Sequence, residues 1–203
     1  MRSFFNRISE KTLRKIYRVL TVIIAIYLSL FCISFLFFSG ERFFYPLKYK
    51  EEVLEYSKEF KVDERLIFAV IRVESSFNRR AKSQRGAKGL MQITDKTAEF
   101  IAEKIGENEY DLFDARVNVK FGCYYISYLK NKFKNQETVM AAYNAGEGRV
   151  MEWLKDSRYS EDGITLKDIP YLETRAYVKK IQKTFEKYRK LYGNILDKSE
   201  NFE

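Results

Sequence analysis

Apolar residues recur at helical spacing over most of the chain, and one stretch departs from its own pattern. Leu66, Ile67, Val70 and Ile71 fall three and four residues apart on one helical face, and the next position on that face is Glu74. The stripe lies in 64–77, which Asp63 is placed to N-cap. Upstream, Pro46 opens a moderately amphipathic helix over 46–60. Downstream, 78–93 reads as a loop, basic at its start and carrying Gly86 and Gly89, with at most a short extended segment at 89–93. Thr94 caps a helix over 95–105 that stops at Gly106, and Asp114 caps a long one over 115–133. The stripe of that long helix is Val117, Phe121, Tyr124 and Tyr128. A short helix over 137–146 breaks at Gly146 and resumes over 147–156, and 157–169 is irregular. Pro170, suited to a first helical turn, opens a helix over 171–192 that Gly193 closes. Its stripe is Tyr177, Val178, Ile181, Phe185, Tyr188 and Tyr192. The predicted fold is all-α, α+β at most.

The N-terminal pattern is different in kind. Val19 to Ser39 is a run of 21 residues without a charge. As a helix it reaches about 31 Å, the thickness of a bilayer's hydrocarbon core. It exceeds the usual apolar length of a cleaved signal, and no small-residue cleavage site or lipidation box accompanies it. Residues 1–18 hold six Lys/Arg against Glu10, a net of +5, which leaves +4 of the chain's +9 to the other 185 residues. Basic flanks stay cytoplasmic. The expectation is a cytoplasmic flank at 1–18, a transmembrane signal-anchor at 19–39 and a juxtamembrane segment with a first helix at 40–62. An extracytoplasmic catalytic domain over 63–193 and a frayed tail over 194–203 complete it.

This distribution argues against nucleic acid as a partner, since much of the basicity flanks a membrane segment. Composition narrows the chemistry further. The chain has no histidine, which removes His-assisted nucleophiles and His-ligated metals. Cys32 and Cys123 have no CxxC partner and read as small buried hydrophobes. Catalysis falls to carboxylates, Tyr or Lys.

Glu74 then has two readings. It reaches solvent or pairs with Arg72 or Arg79, or it is desolvated against apolar neighbours, its pKa raised until it becomes a proton donor near neutrality. The stripe alone leaves both open.

Further motifs bear on that choice. Glu74-Ser75 is followed by Phe77, Ser83 and "GAKGLMQI" at 86–93, then "AAYNAG" at 141–146, then "IPYLETRAYV" at 169–178. In order and spacing these resemble the soluble lytic murein transglycosylases of glycoside hydrolase family 23, related to goose-type lysozyme. The resemblance covers nearly the whole segment after the apolar run. It implies a lysozyme-like helical domain with Glu74 as the single catalytic acid. It also implies a groove formed with Ser75, Ser83, Met91, Gln92, Tyr143, Asn144, Glu173 and Tyr177. The departures are small: Glu147 follows the "AYNAG" motif where proline or serine is common, and Gln84, Arg85 and Lys88 fill variable loop positions.

The resemblance further implies cleavage of the bond between N-acetylmuramic acid and N-acetylglucosamine in peptidoglycan, with closure of a 1,6-anhydro ring and no metal or cofactor. Ordinary glycosidases use two carboxylates, and here one acid lies on an apolar face without an evident partner. A single carboxyl suffices if the substrate supplies the nucleophile. A muramidase on the same fold fits the same residues and differs in its product. A glycan-binding scaffold without activity is opposed by the intact Glu74, Gln92, Tyr143, Asn144 and Glu173. The expected partners are peptidoglycan strands and the membrane, with no protein partner indicated.

Overall fold

The structure is a computed structural model that describes residues 10–196. It divides into two compact units, Met1–Pro46 and Leu47–Glu203. Among its described residues the first holds one helix, α1 (Glu10–Phe44), whose described large apolar side chains, Leu20, Ile23, Leu30 and Ile33 among them, are exposed. Hydroxyls within it bond back to its own carbonyls, Thr21 Oγ1 to Tyr17 O at 2.7 Å and Ser29 Oγ to Ala25 O at 2.8 Å. A helix in hydrocarbon has to satisfy its polar groups internally in this way. The segment Glu10–Ser34 is long and apolar enough to cross a membrane. Cys32 is exposed on this apolar helix, contrary to the expectation of burial; Cys123 is buried.

The second unit is built from seven helices among the described residues: α2 (Lys50–Glu59), α3 (Glu64–Glu74), α4 (Asp95–Ile105), α5 (Ala115–Lys132), α6 (Gln136–Ala145), α7 (Glu147–Leu154) and α8 (Leu172–Leu196). The all-α expectation holds. Helix α3 is the centre: Leu66 to Ile71 are all buried, with α2 and α8 packed against it. Against it Phe68 stacks on Tyr188 at 5.6 Å between centroids, and Tyr188 stacks on Tyr192. Helix α6 joins α5, α7 and α8. The caps read from the sequence are made. Asp63, Thr94 and Asp114 accept from the backbone of Arg65, Thr97 and Val117, and Gly106 ends α4 in a left-handed conformation.

Four boundaries or faces differ from the sequence pattern. Helix α2 starts at Lys50 rather than Pro46, after Tyr49 turns through φ 58. Helix α3 stops at Glu74 rather than Phe77, because Ser76 and Phe77 take left-handed backbone, φ 51 and 65, and Phe77 folds under into the core. On α5 the buried face is Asn118, Val119, Phe121, Gly122, Cys123, Ile126 and Leu129, a register rotated from the aromatic stripe, whose Val117, Tyr124 and Tyr128 are half-buried. Helix α8 begins at Leu172 and passes through Gly193 to Leu196, since Leu191 and Tyr192 remain packed. The frayed tail lies outside the described residues from 197 onward.

The loop between α3 and α4 has no strand, only isolated antiparallel bridges joining Lys82 to Lys88 and Lys88 to Ile93. Its anchor is Asn118 on α5, 1% exposed. The Asn118 amide donates to the carbonyls of Lys88 and Leu112 at 3.0 and 2.9 Å and accepts from Met91 N at 2.7 Å. Gly89 lies so close that a Cβ there would run into the Asn118 side chain and the Leu112 carbonyl. Met91 is packed down on Gly122.

Candidate active site

Glu74 is the last residue of α3, so its carboxyl emerges where the central helix ends. It is half-buried, and it pairs with neither Arg72 nor Arg79; Arg72 donates to Ser76 Oγ instead. Its partner is Tyr177 on α8, whose hydroxyl donates to Glu74 Oε1 at 2.7 Å. Burial pushes the Glu74 pKa up to about 7, against the smaller opposing pull of the Tyr177 hydrogen bond and the Lys180 charge. Of the two readings of this acid, the structure selects the desolvated one. A carboxyl with that pKa is protonated in useful amount at neutral pH and can also serve as a base once ionised.

Tyr143 on α6 stands beside this pair. Its hydroxyl donates to Met91 O at 2.7 Å, and burial, with the nearby Glu74 charge as a secondary cause, holds its pKa well above the usual phenol value. Two residues thus act through the loop. Asn118 fixes Met91 from one side, and Tyr143 closes on the Met91 carbonyl from the other.

The other expected site residues fall into two groups. Asn144 accepts from Thr174 Oγ1 at 2.8 Å, which ties the end of α6 to the start of α8 one turn before Tyr177. Glu173 is exposed and meets Arg85 of the loop at 3.3 Å. Ser75 Oγ bonds back to Ile71 O, Ser83 Oγ accepts from Ala87 N, and the Gln92 amide donates to Ala81 O and Gly89 O. Ser75 holds the end of α3 beside the acid, while Ser83 and Gln92 hold the backbone of the loop that follows. Met91 is fully buried, so its side chain belongs to the core and only its main chain faces Tyr143. Tyr177 is 9% exposed and acts on Glu74.

Asn118, Thr174 and Lys180 were not legible as site residues. Asn118 carries the same signal as Glu74, a polar side chain on an apolar helical face, but the aromatic stripe of α5 points to a different face from the one that is buried. Among the described residues no group of three or more Cys, Asp or Glu side chains is arranged to hold a metal ion.

Residues 51–165 match the family model described as the Transglycosylase SLT domain, and the chain belongs to that family. It is 35% identical over 159 residues to the soluble lytic murein transglycosylase of Salmonella typhimurium, covering 75% of this chain and 24% of that protein. It is 31% identical over 169 residues to the membrane-bound lytic murein transglycosylase C of Edwardsiella ictaluri, covering 71% of this chain and 47% of that protein. The crystal structure of the 70 kDa soluble lytic transglycosylase of Escherichia coli matches with a TM-score of 0.65 at 32% identity, covering 73% of this chain and 25% of that one. The chain thus spans between about a quarter and half of the length of these relatives.

Proposed function

We propose that the chain is a membrane-anchored lytic transglycosylase, which cleaves the β-1,4 bond between N-acetylmuramic acid and N-acetylglucosamine in peptidoglycan and leaves 1,6-anhydro ends. The observation that carries this is the state of Glu74: one carboxyl, desolvated to a pKa of about 7, its Oε1 held by the Tyr177 hydroxyl, with Lys180 rather than a second carboxylate as the charge that acts on it. The names of the relatives point to the same substrate.

In this mechanism protonated Glu74 gives its proton to the glycosidic oxygen as the bond to the muramic C1 breaks. The muramic N-acetyl group supports the electron-poor C1. Glu74, now a carboxylate, takes the proton of the C6 hydroxyl as O6 bonds to C1, and ends protonated again. No water is consumed. Tyr177 orients the carboxyl through its donated hydrogen bond, and it helps the ionised form through the moment between the two proton transfers. Ser75, Ser83, Gln92, Asn144 and Glu173 border the groove, while Met91 and Tyr143 set its floor.

Residues 19–39 are the membrane anchor, 1–18 the cytoplasmic flank, 40–62 the connection and 63–193 the extracytoplasmic catalytic part. The basic flank and the charge-free run support this topology. Mass spectrometry of digested sacculi tests the reaction: anhydromuramyl ends are expected, and reducing muramic acid ends would make the enzyme a hydrolase on the same fold. Protease added to intact protoplasts tests the topology, and survival of residues 63–193 would reverse it.

A further inference from the structure

A row of half-buried aromatic rings leaves the acid site and runs over α5. Tyr143 contacts Tyr125 at 5.6 Å between centroids, Tyr125 lies nearly parallel to Tyr128 at 6.2 Å, and Tyr128 meets Phe100 of α4 at 5.1 Å. All four residues are half-buried, Tyr143 with its hydroxyl turned inward to the Met91 carbonyl. The near-parallel pair is separated by more than the contact distance of stacked planes, so the rings are slipped, like adjoining tiles. Glu147, the first residue of α7, pairs with Lys132 at the edge of the row, and its charge adds to burial in raising the Tyr128 pKa. This is the residue that departs from the usual small or proline position after "AYNAG", and nothing in the acid chemistry uses it.

We propose that Tyr125, Tyr128 and Glu147 form a distal glycan subsite, which takes a pyranose ring of the same strand beyond the sugars at the bond that is cut. Three features fit that ligand. Flat aromatic faces complement the C–H face of a pyranose. A carboxylate and an ammonium at the rim match its ring hydroxyls as acceptor and donor. The row is also continuous with Tyr143, and its ring spacing is of the order of one sugar unit, so a strand seated at Glu74 can continue along it. The subsite would set a preference for long strands over short ones. It rests on the glycan-cleaving reading above for its ligand, and it is tested apart from turnover.

Peptide-free tetrasaccharide and octasaccharide of alternating N-acetylglucosamine and N-acetylmuramic acid are titrated into the full chain carrying Glu74→Gln in detergent. The octasaccharide should bind about tenfold tighter, the equivalent of one well-packed aromatic contact. Adding Tyr128→Leu, which keeps apolar bulk and removes the flat ring, should bring that ratio close to one. Glu147→Gln should lower it part of the way. A length ratio that stays at its original value in Tyr128→Leu overturns the subsite, whether both oligomers weaken together or neither does. Wild-type turnover is measured on the same oligomers. Length-dependent binding without any cleavage would sink the enzymatic reading and leave the subsite standing, whereas cleavage with an unmoved length ratio would do the reverse.

Discussion

Tyr177 donates a 2.7 Å hydrogen bond to Glu74 across 103 positions of sequence. The two residues come from the helices that make the central packing of the domain, α3 and α8. The orientation of the acid is therefore a by-product of core packing, and changes at the interface between these helices reach the chemistry directly.

Glu74→Gln keeps size and hydrogen bonding and removes both proton transfers. General acid–base catalysis contributes about 10²–10⁴-fold, so release of soluble fragments from sacculi should fall to background. Binding of glycan should persist. Near-normal turnover in this variant would remove Glu74 from the catalytic role.

The rate should fall on the alkaline side as pH passes about 7, where Glu74 loses its proton. Tyr177→Phe removes a hydrogen bond that favours the ionised carboxylate, so that limb should move to higher pH while the maximal rate drops. Lys180→Gln should shift the limb in the same direction, and added salt should reproduce its effect in the wild type. A limb that moves down in Tyr177→Phe would contradict the assigned hydrogen bond.

Stability should carry the mark of the same proton. The folded chain holds Glu74 with a pKa raised from 4.5 to about 7, so folding favours the protonated form. That contribution is fully present below pH 4.5 and is lost as pH rises through 7, with a ceiling of about 3 kcal/mol on the loss. Glu74→Gln does not titrate. Its Tm should match the wild type near pH 4 and exceed it at pH 8, as read by calorimetry on residues 41–203.

Two glycines in the loop should separate sharply. Gly86 and Gly89 both have left-handed φ, 83 and 79, but only Gly89 abuts Asn118 and the Leu112 carbonyl. Gly86→Ala should cost about 1 kcal/mol, the strain of the backbone alone. Gly89→Ala must also displace buried, hydrogen-bonded groups and should cost about 3 kcal/mol or more, with loss of activity. Equal costs in urea unfolding would mean that the Asn118 anchor is not what holds the loop.

Much of the fold is legible in the chain itself. Asp63, Thr94 and Asp114 each stand one residue ahead of an apolar repeat and cap in the structure. Glu74 betrayed itself by standing on a hydrophobic face. Periodicity failed where two faces competed: on α5 the large rings of Tyr124 and Tyr128 suggested the inward side, but small Gly122 and Cys123 let neighbouring elements approach closer, and they set it. Ends failed where tertiary packing overruled local signals. Gly193 could have closed α8, but the buried Leu191 and Tyr192 carry the helix past it. Pairs such as Tyr143 with Met91, 52 positions apart, have no local signature at all.

The backbone immediately after the acid is a hard stop. Ser76 and Phe77 turn through left-handed φ without a glycine, at a cost of roughly 1–2 kcal/mol each. Burial of the Phe77 ring contributes about 1.5–3 kcal/mol and offsets much of it. Helix α3 consequently has no freedom to grow by a turn. One more turn would surround Glu74 with further side chains and close the carboxyl off from solvent. The ring of Phe77 is thus a latch that keeps the end of the helix, and the proton it carries, half-buried rather than sealed in.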